Sequence, residues 1–499
     1  MTIRRRTLLK LSALAGGAMI LPDVMQRALA ASNTTKVRHA VSTPEGKLML
    51  AVYARAVGLM MKKPSTDPLS WIFQWYTHST PEDKEVELQK VFGSTSSPHR
   101  QMAETMWFTC EPHRSGNSDA FLPWHRMYVL YLEQIVRDVS GDQAFTLPYW
   151  DYVGPSCTPA GQCTVLPEEF RKPNHPLWGS LYRPDRNPGV NDGKPVDASP
   201  YGSPLTLDCM KSPRYRESGS DAGFCANLDN DPHGVMHDNV GDDKGMGVIA
   251  WAANDPIFWL HHCNIDRIWA SWNKAGGLNP QDTPFTSQSW TFSNGQGLPV
   301  VAKVSDVLDT TTLASPYIYD SYLSRPAGSV PFSKPLVRAA SVHAQSRLSS
   351  GRSSAIALTE KPVKIALASQ LRSTSKAGFG NALFSATQGE TLYLTLSDIS
   401  ASAEVGNSYG VYLNLPANVT PTPQDPSFVG TISFFGVGMP THGGHHTSTR
   451  DISFVVTDIV QKLTDAKRMN QEPTITFAPI GKNNVNAKPV VGSVSLQSS

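Results

Sequence analysis

The stretch Asp255-Pro-Ile-Phe-Trp-Leu-His-His-Cys-Asn-Ile-Asp-Arg-Ile-Trp269 opens with an Asp-Pro pair, and that pair decides how the region folds. Aspartate caps the free N–H groups of a first helical turn, and proline suits the first helical position because its missing N–H would be unpaired there. Asp67-Pro68 and Asp231-Pro232 repeat the device, each just before histidine-bearing sequence, so helices are expected from 68, 232 and 256. A fourth helix, about 124–139, carries Val129, Leu132, Val136 and Val139 at three- and four-residue spacings on one face. The region reads as a helix bundle. On the helix from 256, His262, Asp266 and Trp269 share a face, which places a carboxylate near an imidazole as a buttress for a metal ligand would require.

Histidine is concentrated in this half of the chain: ten of 14 precede residue 270. His233 and His237 lie four apart on one helical face, with Cβ atoms about 6 Å apart, close enough to grip one ion. A zinc-protease site needs glutamate directly after the first histidine, and Gly234 stands there. Phe121-Leu-Pro-Trp-His125-Arg126 runs into a helix carrying Glu133.

Outside the bundle the pattern changes. Residues 331–375 are Ser-rich and read as a linker between a domain at 31–330 and one at 376–499. Beyond it, Thr391–Leu396, Tyr409–Leu415, Thr431–Phe435, Ile452–Val456 and Thr474–Phe477 alternate with period two between turn residues, which argues for a β-sandwich. The fold class is thus a mainly α domain followed by a β-sandwich.

The first thirty residues are separate again. Arg4-Arg-Arg-Thr-Leu-Leu-Lys10, a short apolar run and Ala28-Leu-Ala30 form an export signal of twin-arginine type. The apolar run is about 11 residues, against about 20 needed to span a bilayer, so stable membrane insertion is not expected. Residues 1–30 hold five basic residues against Asp23, and without them the formal charge passes from +2 to −2. Nucleic acid is excluded as a partner, because the basic footprint leaves with the signal. Export, to the periplasm or beyond, through the twin-arginine machinery would expose six cysteines to oxidation; Cys157/Cys163 and Cys209/Cys225 are plausible bridges.

The two long motifs, Phe-Leu-Pro-Trp-His125-Arg and Asp-Pro-Ile-Phe-Trp-Leu-His-His262, resemble the copper signatures of the tyrosinase and polyphenol oxidase family, in a bacterial member with a plant-like C-terminal domain. The resemblance covers roughly 70–270 and implies two copper ions held by two trios of histidine. His78, His113 and His125 would form the first trio, with His99 as the fallback for His113, and His233, His237 and His262 the second. It further implies oxidation of phenols by dioxygen, either ortho-hydroxylation of a monophenol or conversion of an o-diphenol to an o-quinone. A catechol oxidase or o-aminophenol oxidase without the hydroxylation step is the rival reading, and a haemocyanin-like dioxygen carrier is the rival of another class.

Other positions follow from the same resemblance. Relatives link a ligand histidine to a nearby cysteine, which draws attention to Cys110, as a thioether or as a buried thiol. They hold a water with an acid shortly before the first ligand of the second copper and with Asn just after that ligand. Here Asp229 supplies the acid and Gly234 replaces the Asn. Asp238 either supplies the missing charge or is an exposed helix carboxylate. Ile249 stands where plant relatives often have a Phe crowding the entrance. The tail would cover the copper cleft and keep the enzyme latent, so cutting between 340 and 375 should raise turnover. His442, His445 and His446 read as polar surface more readily than as a copper loop.

Overall fold

A computed structural model of the chain describes residues 35–111, 118–154, 162–242, 244–332, 347–349, 355–369, 390–438, 449–469, 472–481 and 484–498. The signal segment, His113, Cys157 and the His442–His446 loop lie outside the described residues.

The expected bundle forms around two long helices, Phe121–Ser140 and Ile257–Lys274. The first ends at Gly141, whose φ of +76° is a left-handed stop that a side chain would resist. The second is buried on every side from Ile257 to Trp272 and forms the axis of the domain. Helices Pro44–Met60 and Trp71–His78 pack around them. Among the described residues, no helix is long and apolar enough to cross a membrane.

The Asp-Pro expectations divide. Asp255 caps as expected, accepting from Ile257 N at 3.2 Å. The helix after Asp67-Pro68 starts later, at Trp71, with Ser70 as its cap. Helical backbone does run from Pro232 into Val235–Val240, after a kink at the extended Asp231 (φ −141°, ψ 123°), but the Asp231 carboxylate accepts from Thr206 instead of capping the turn.

A second correction concerns Asp266. Its carboxylate does not meet His262; it accepts from Arg38, Arg126, Tyr317 and Tyr319. Arg38 also binds Glu133, which pairs with Arg137. Two guanidiniums outcompete a neutral imidazole for a buried carboxylate, since an unpaired interior charge costs several kcal/mol. The network pins the strand pair Lys36–Arg38 and Tyr317–Tyr319 to both long helices. The expected Cys209–Cys225 bridge is also absent: both are free buried thiols, while Cys163 is disulfide-bonded.

The C-terminal sandwich has a four-stranded sheet, in the order Phe428–Ser433, Ser408–Leu413, Thr474–Ile480, Val363–Ala366. Its other sheet runs Arg450–Val455, Leu392–Ile399, Ser493–Ser498, Arg347–Ser349, Ala368–Ser369. Strands within 347–369 fall inside the segment read as linker, so the β-domain starts earlier than 376; a Ser-rich composition hid strands that are completed by pairing with distant ones.

Each domain has its own apolar core. Phe435 alone, among the described residues of the β-domain, joins the larger helical core. The rest of the junction is polar. Asn230 donates to Thr431 O and accepts from Ser433 N, and Asn227 accepts from Ser453 N. These amides satisfy the backbone of the outermost strand of each sheet, which would otherwise be an open edge.

Candidate metal centre

Two groups of buried side chains bring their donor atoms together: His78, Cys110 and His125 in one, His233, His237, His261 and His262 in the other, each within 4.8 Å of one another. They face across two ring contacts: His125 is stacked on His262, with ring centroids 4.3 Å apart and planes 8° apart, and is tilted against His233 at 6.0 Å.

The first group is braced from within the helical domain. His78 ends its helix, whose Trp71 and Trp75 are tied to Asn254 and Ala250, and donates from Nδ1 to Ile249 O at 3.2 Å. His125 donates from Nδ1 to Phe121 O at 2.8 Å, the carbonyl one turn back. That bond leaves the lone pair on Nε2, where the Cys110 thiol lies at 3.4 Å. Cys110 is a free thiol, and burial pushes its pKa well up.

The second group is braced differently. His233 donates from Nδ1 to Asp229 Oδ1 at 2.9 Å, and His237 to Met246 O at 2.7 Å. His261 shares a 2.7 Å hydrogen bond with Tyr152. Nε2 of His237 and His261, and both ring nitrogens of His262, have no hydrogen-bond partner among the described residues. Burial and the neighbouring imidazoles hold His237 and His262 well below the usual histidine range, as burial and His233 do for His261, so these rings are neutral donors at pH 7. Neutral nitrogen donors aimed into a dry pocket fit copper, which prefers imidazole and heads the divalent affinity series.

The β-domain reaches this second group. The Phe435 ring stacks on His237 at 3.8 Å, 8° from parallel, and stands edge-on to His233 at 5.6 Å. Arg450 pairs with Asp229 Oδ2 at 3.0 Å. Asp238 is buried, correcting its reading as an exposed helix carboxylate; it accepts from Ser408 and Ser433 at 2.7 and 2.8 Å. Burial raises its pKa to about 6, against the pull of those two hydroxyls. A β-carbon at Gly234 would lie 2.5 Å from Ser433 Oγ and 2.9 Å from its Cβ, so glycine lets the β-domain close here. Ile249 is buried, with its N–H bonded to Glu404 of the β-domain.

Of the residues singled out in the sequence, His78, His125, Cys110, His233, His237 and His262 converge, Asp229 and Asp238 flank the second group, and Asp266 does not belong. Sequence reasoning missed His261, Tyr152, Phe435 and Arg450. His261 was visible as half of a paired histidine; the other three carry no local signal.

Fold and site define a helical domain with a histidine-built pocket suited to metal, covered by a β-domain. Residues 68–275 match the family described as the common central domain of tyrosinase, and residues 347–499 match a domain of unknown function. Tyrosinase HcTyr1 of Hahella sp. (strain CCB-MM4) is 32% identical over 296 residues, 54% of this chain and 60% of that protein. A chloroplastic polyphenol oxidase of Malus domestica is 24% identical over 455 residues, 82% of this chain and 70% of that protein. The chain spans 52% of the length of aureusidin synthase from Antirrhinum majus, at 27% identity over 318 residues and 58% of this chain. The structure of latent apple tyrosinase shares the fold, with a TM-score of 0.60, 21% identity, and coverage of 93% of this chain and 98% of that one. Residues 68–275 thus carry the central domain of the tyrosinase and polyphenol oxidase family, whose members are copper oxidoreductases.

Proposed function

We propose that this chain oxidises phenols with dioxygen at two copper ions, by ortho-hydroxylation of monophenols and oxidation of o-diphenols to o-quinones. The observation that carries the reading is the face-to-face contact of His125 and His262, which sets one imidazole group opposite the other. His78, His125 and His113 would hold the first ion, and His233, His237 and His262 the second. When bound, the copper pair supplies the site for dioxygen and takes electrons from the phenol.

The chain's own part is to hold neutral nitrogen donors, exclude water and receive a proton. A phenol has a pKa of about 10, so a monophenol needs an acceptor beside the metals. Asp229 and Asp238 are buried carboxylates at the second group, and both are held by the β-domain, through Arg450 and through Ser408 and Ser433. We therefore propose that the docked β-domain makes the enzyme latent, with Phe435 filling the space beside His237 where a phenol ring would stack.

The rival reading, diphenol oxidation alone, is favoured by one observation: Asp229 Oδ1 is engaged by His233 and Oδ2 by Arg450. Oxygen uptake with tyrosine, dopa and catechol separates the two, measured on the full chain and after a cut between 333 and 346. Uptake with tyrosine after cutting supports hydroxylation. Uptake with catechol alone supports the rival, and no uptake with any of the three sinks both. Export by the twin-arginine route remains our proposal from Arg4–Lys10; retention of the chain inside cells lacking that machinery tests it.

A further inference from the structure

Among the described imidazoles that converge on the centre, all but His262 follow one pattern. His78, His125, His233 and His237 each spend Nδ1 on a fixed oxygen, at Ile249, Phe121, Asp229 and Met246, which turns Nε2 inward. Anchoring of this kind sets the tautomer and ring angle of a metal ligand. His261 obeys the same pattern, with Tyr152 Oη as the partner of its Nδ1. Its ring lies flat against His233, at 5.5 Å and 12°, and edge-on to His237, at 4.9 Å and 86°. It thus fills the angle between the two ligands that flank it. Tyr152 is itself immobile: it is 2% exposed, and its ring packs at 5.4 Å against Trp150.

We infer that His261, oriented by Tyr152, is a positioning residue for the second copper, fixing the rings of His233 and His237 and presenting a further nitrogen to that ion's pocket. The inference rests on the copper reading above and adds to it a residue pair that the six-histidine set leaves out. The asymmetry is specific. His261 contacts His233, His237 and His262, all of the second group, and is itself held by Tyr152. Loss of the pair should loosen one ion and spare the other.

The test uses the full chain loaded with copper, challenged with increasing chelator, with copper counted per chain and the electron paramagnetic resonance signal recorded. Two coupled Cu(II) ions are silent in that measurement, and one isolated Cu(II) ion is not. Loss of a buttressing partner costs about 10- to 100-fold in metal affinity. Tyr152→Phe and His261→Gln should therefore lose one copper at 10- to 100-fold less chelator than the wild type, as the signal of a single ion appears. Tyr152→Phe keeps the ring and removes only the hydroxyl, so it answers the question even if His261→Gln does not fold. Two coppers retained at wild-type chelator resistance would overturn the inference, and so would joint loss of both ions with a lowered unfolding temperature, which assigns the pair to packing. A wild-type chain that never holds two coppers fails earlier, at the copper reading, and takes the inference with it.

Discussion

The two imidazole groups differ in what holds them. His78 and His125 are anchored by backbone carbonyls and a thiol of the helical domain. His233 and His237 are touched by another domain: Phe435 lies on His237, Arg450 reaches His233 through Asp229, and Ser408 and Ser433 fix Asp238 beside it. Similar imidazole chemistry thus has two mechanical settings: the β-domain touches the second group directly, and reaches the first only through Ile249, whose N–H is bonded to Glu404. The half of the centre nearer the β-domain is the half a cover can control.

Exchange of one ligand in each group tests this division most severely. His125→Asn and His237→Asn should both reduce catechol-driven oxygen uptake to background. Only His237→Asn should also speed separation of the two domains after a cut between 333 and 346, followed by gel filtration, because only His237 carries the Phe435 stack. Equal separation rates would erase the distinction. Phe435→Ala comes next. It removes the β-domain side chain that packs into the helical core, and truncating a central buried aromatic typically costs an interface about 2–4 kcal/mol. Oxygen uptake by the uncut chain should rise about tenfold or more. Gly234→Ala follows, since a β-carbon there meets Ser433 and overpacking costs about 1–3 kcal/mol. Uptake by the uncut chain should rise several-fold, and an unchanged rate would show that Ser433 moves aside freely.

These contacts mark the boundary of what the sequence discloses. The helix about 124–139 is observed at Phe121–Ser140, and all five alternating segments are strands, because three-and-four spacing and period two are local properties of the chain. The clustered histidines on helices were legible for the same reason: one turn places His233 and His237 together whatever surrounds them. Partners that arrive from elsewhere were not. Ser433 is 195 residues from Asp238, and nothing in either local sequence announces the pairing. Asp266 misled because helical spacing puts it near His262 but cannot show Arg38 arriving from a strand 228 residues away. Asp231 misled in part: the helix follows it, but its carboxylate accepts from Thr206, 25 residues away, instead of capping. Spacing reports what a helix offers, and the fold decides which offer is taken.

The smallest effect expected is a pH dependence of docking. Glu404, on the β-domain, accepts from Ile249 N, whose carbonyl anchors His78. Burial raises its pKa from 4.5 to about 7, with the Asp238 charge adding to the rise and the Ile249 bond opposing it. The docked state therefore binds the proton more tightly than a released state in which Glu404 meets water. Its contribution is most favourable to docking below about pH 4.5, weakens as pH rises toward 7, and is level above that. Asp238, raised from 3.8 to about 6, acts in the same direction, and its influence fades as pH rises through that value. Between pH 6 and 7 both groups contribute, Glu404 the more. Domains nicked between 333 and 346 should separate faster at pH 7 than at pH 6, and Glu404→Gln should shrink that difference while leaving the change between pH 4 and 6. A variant that keeps the upper step in full would move the control of docking to another group, and would leave the first imidazole group free of any influence from the β-domain through Ile249.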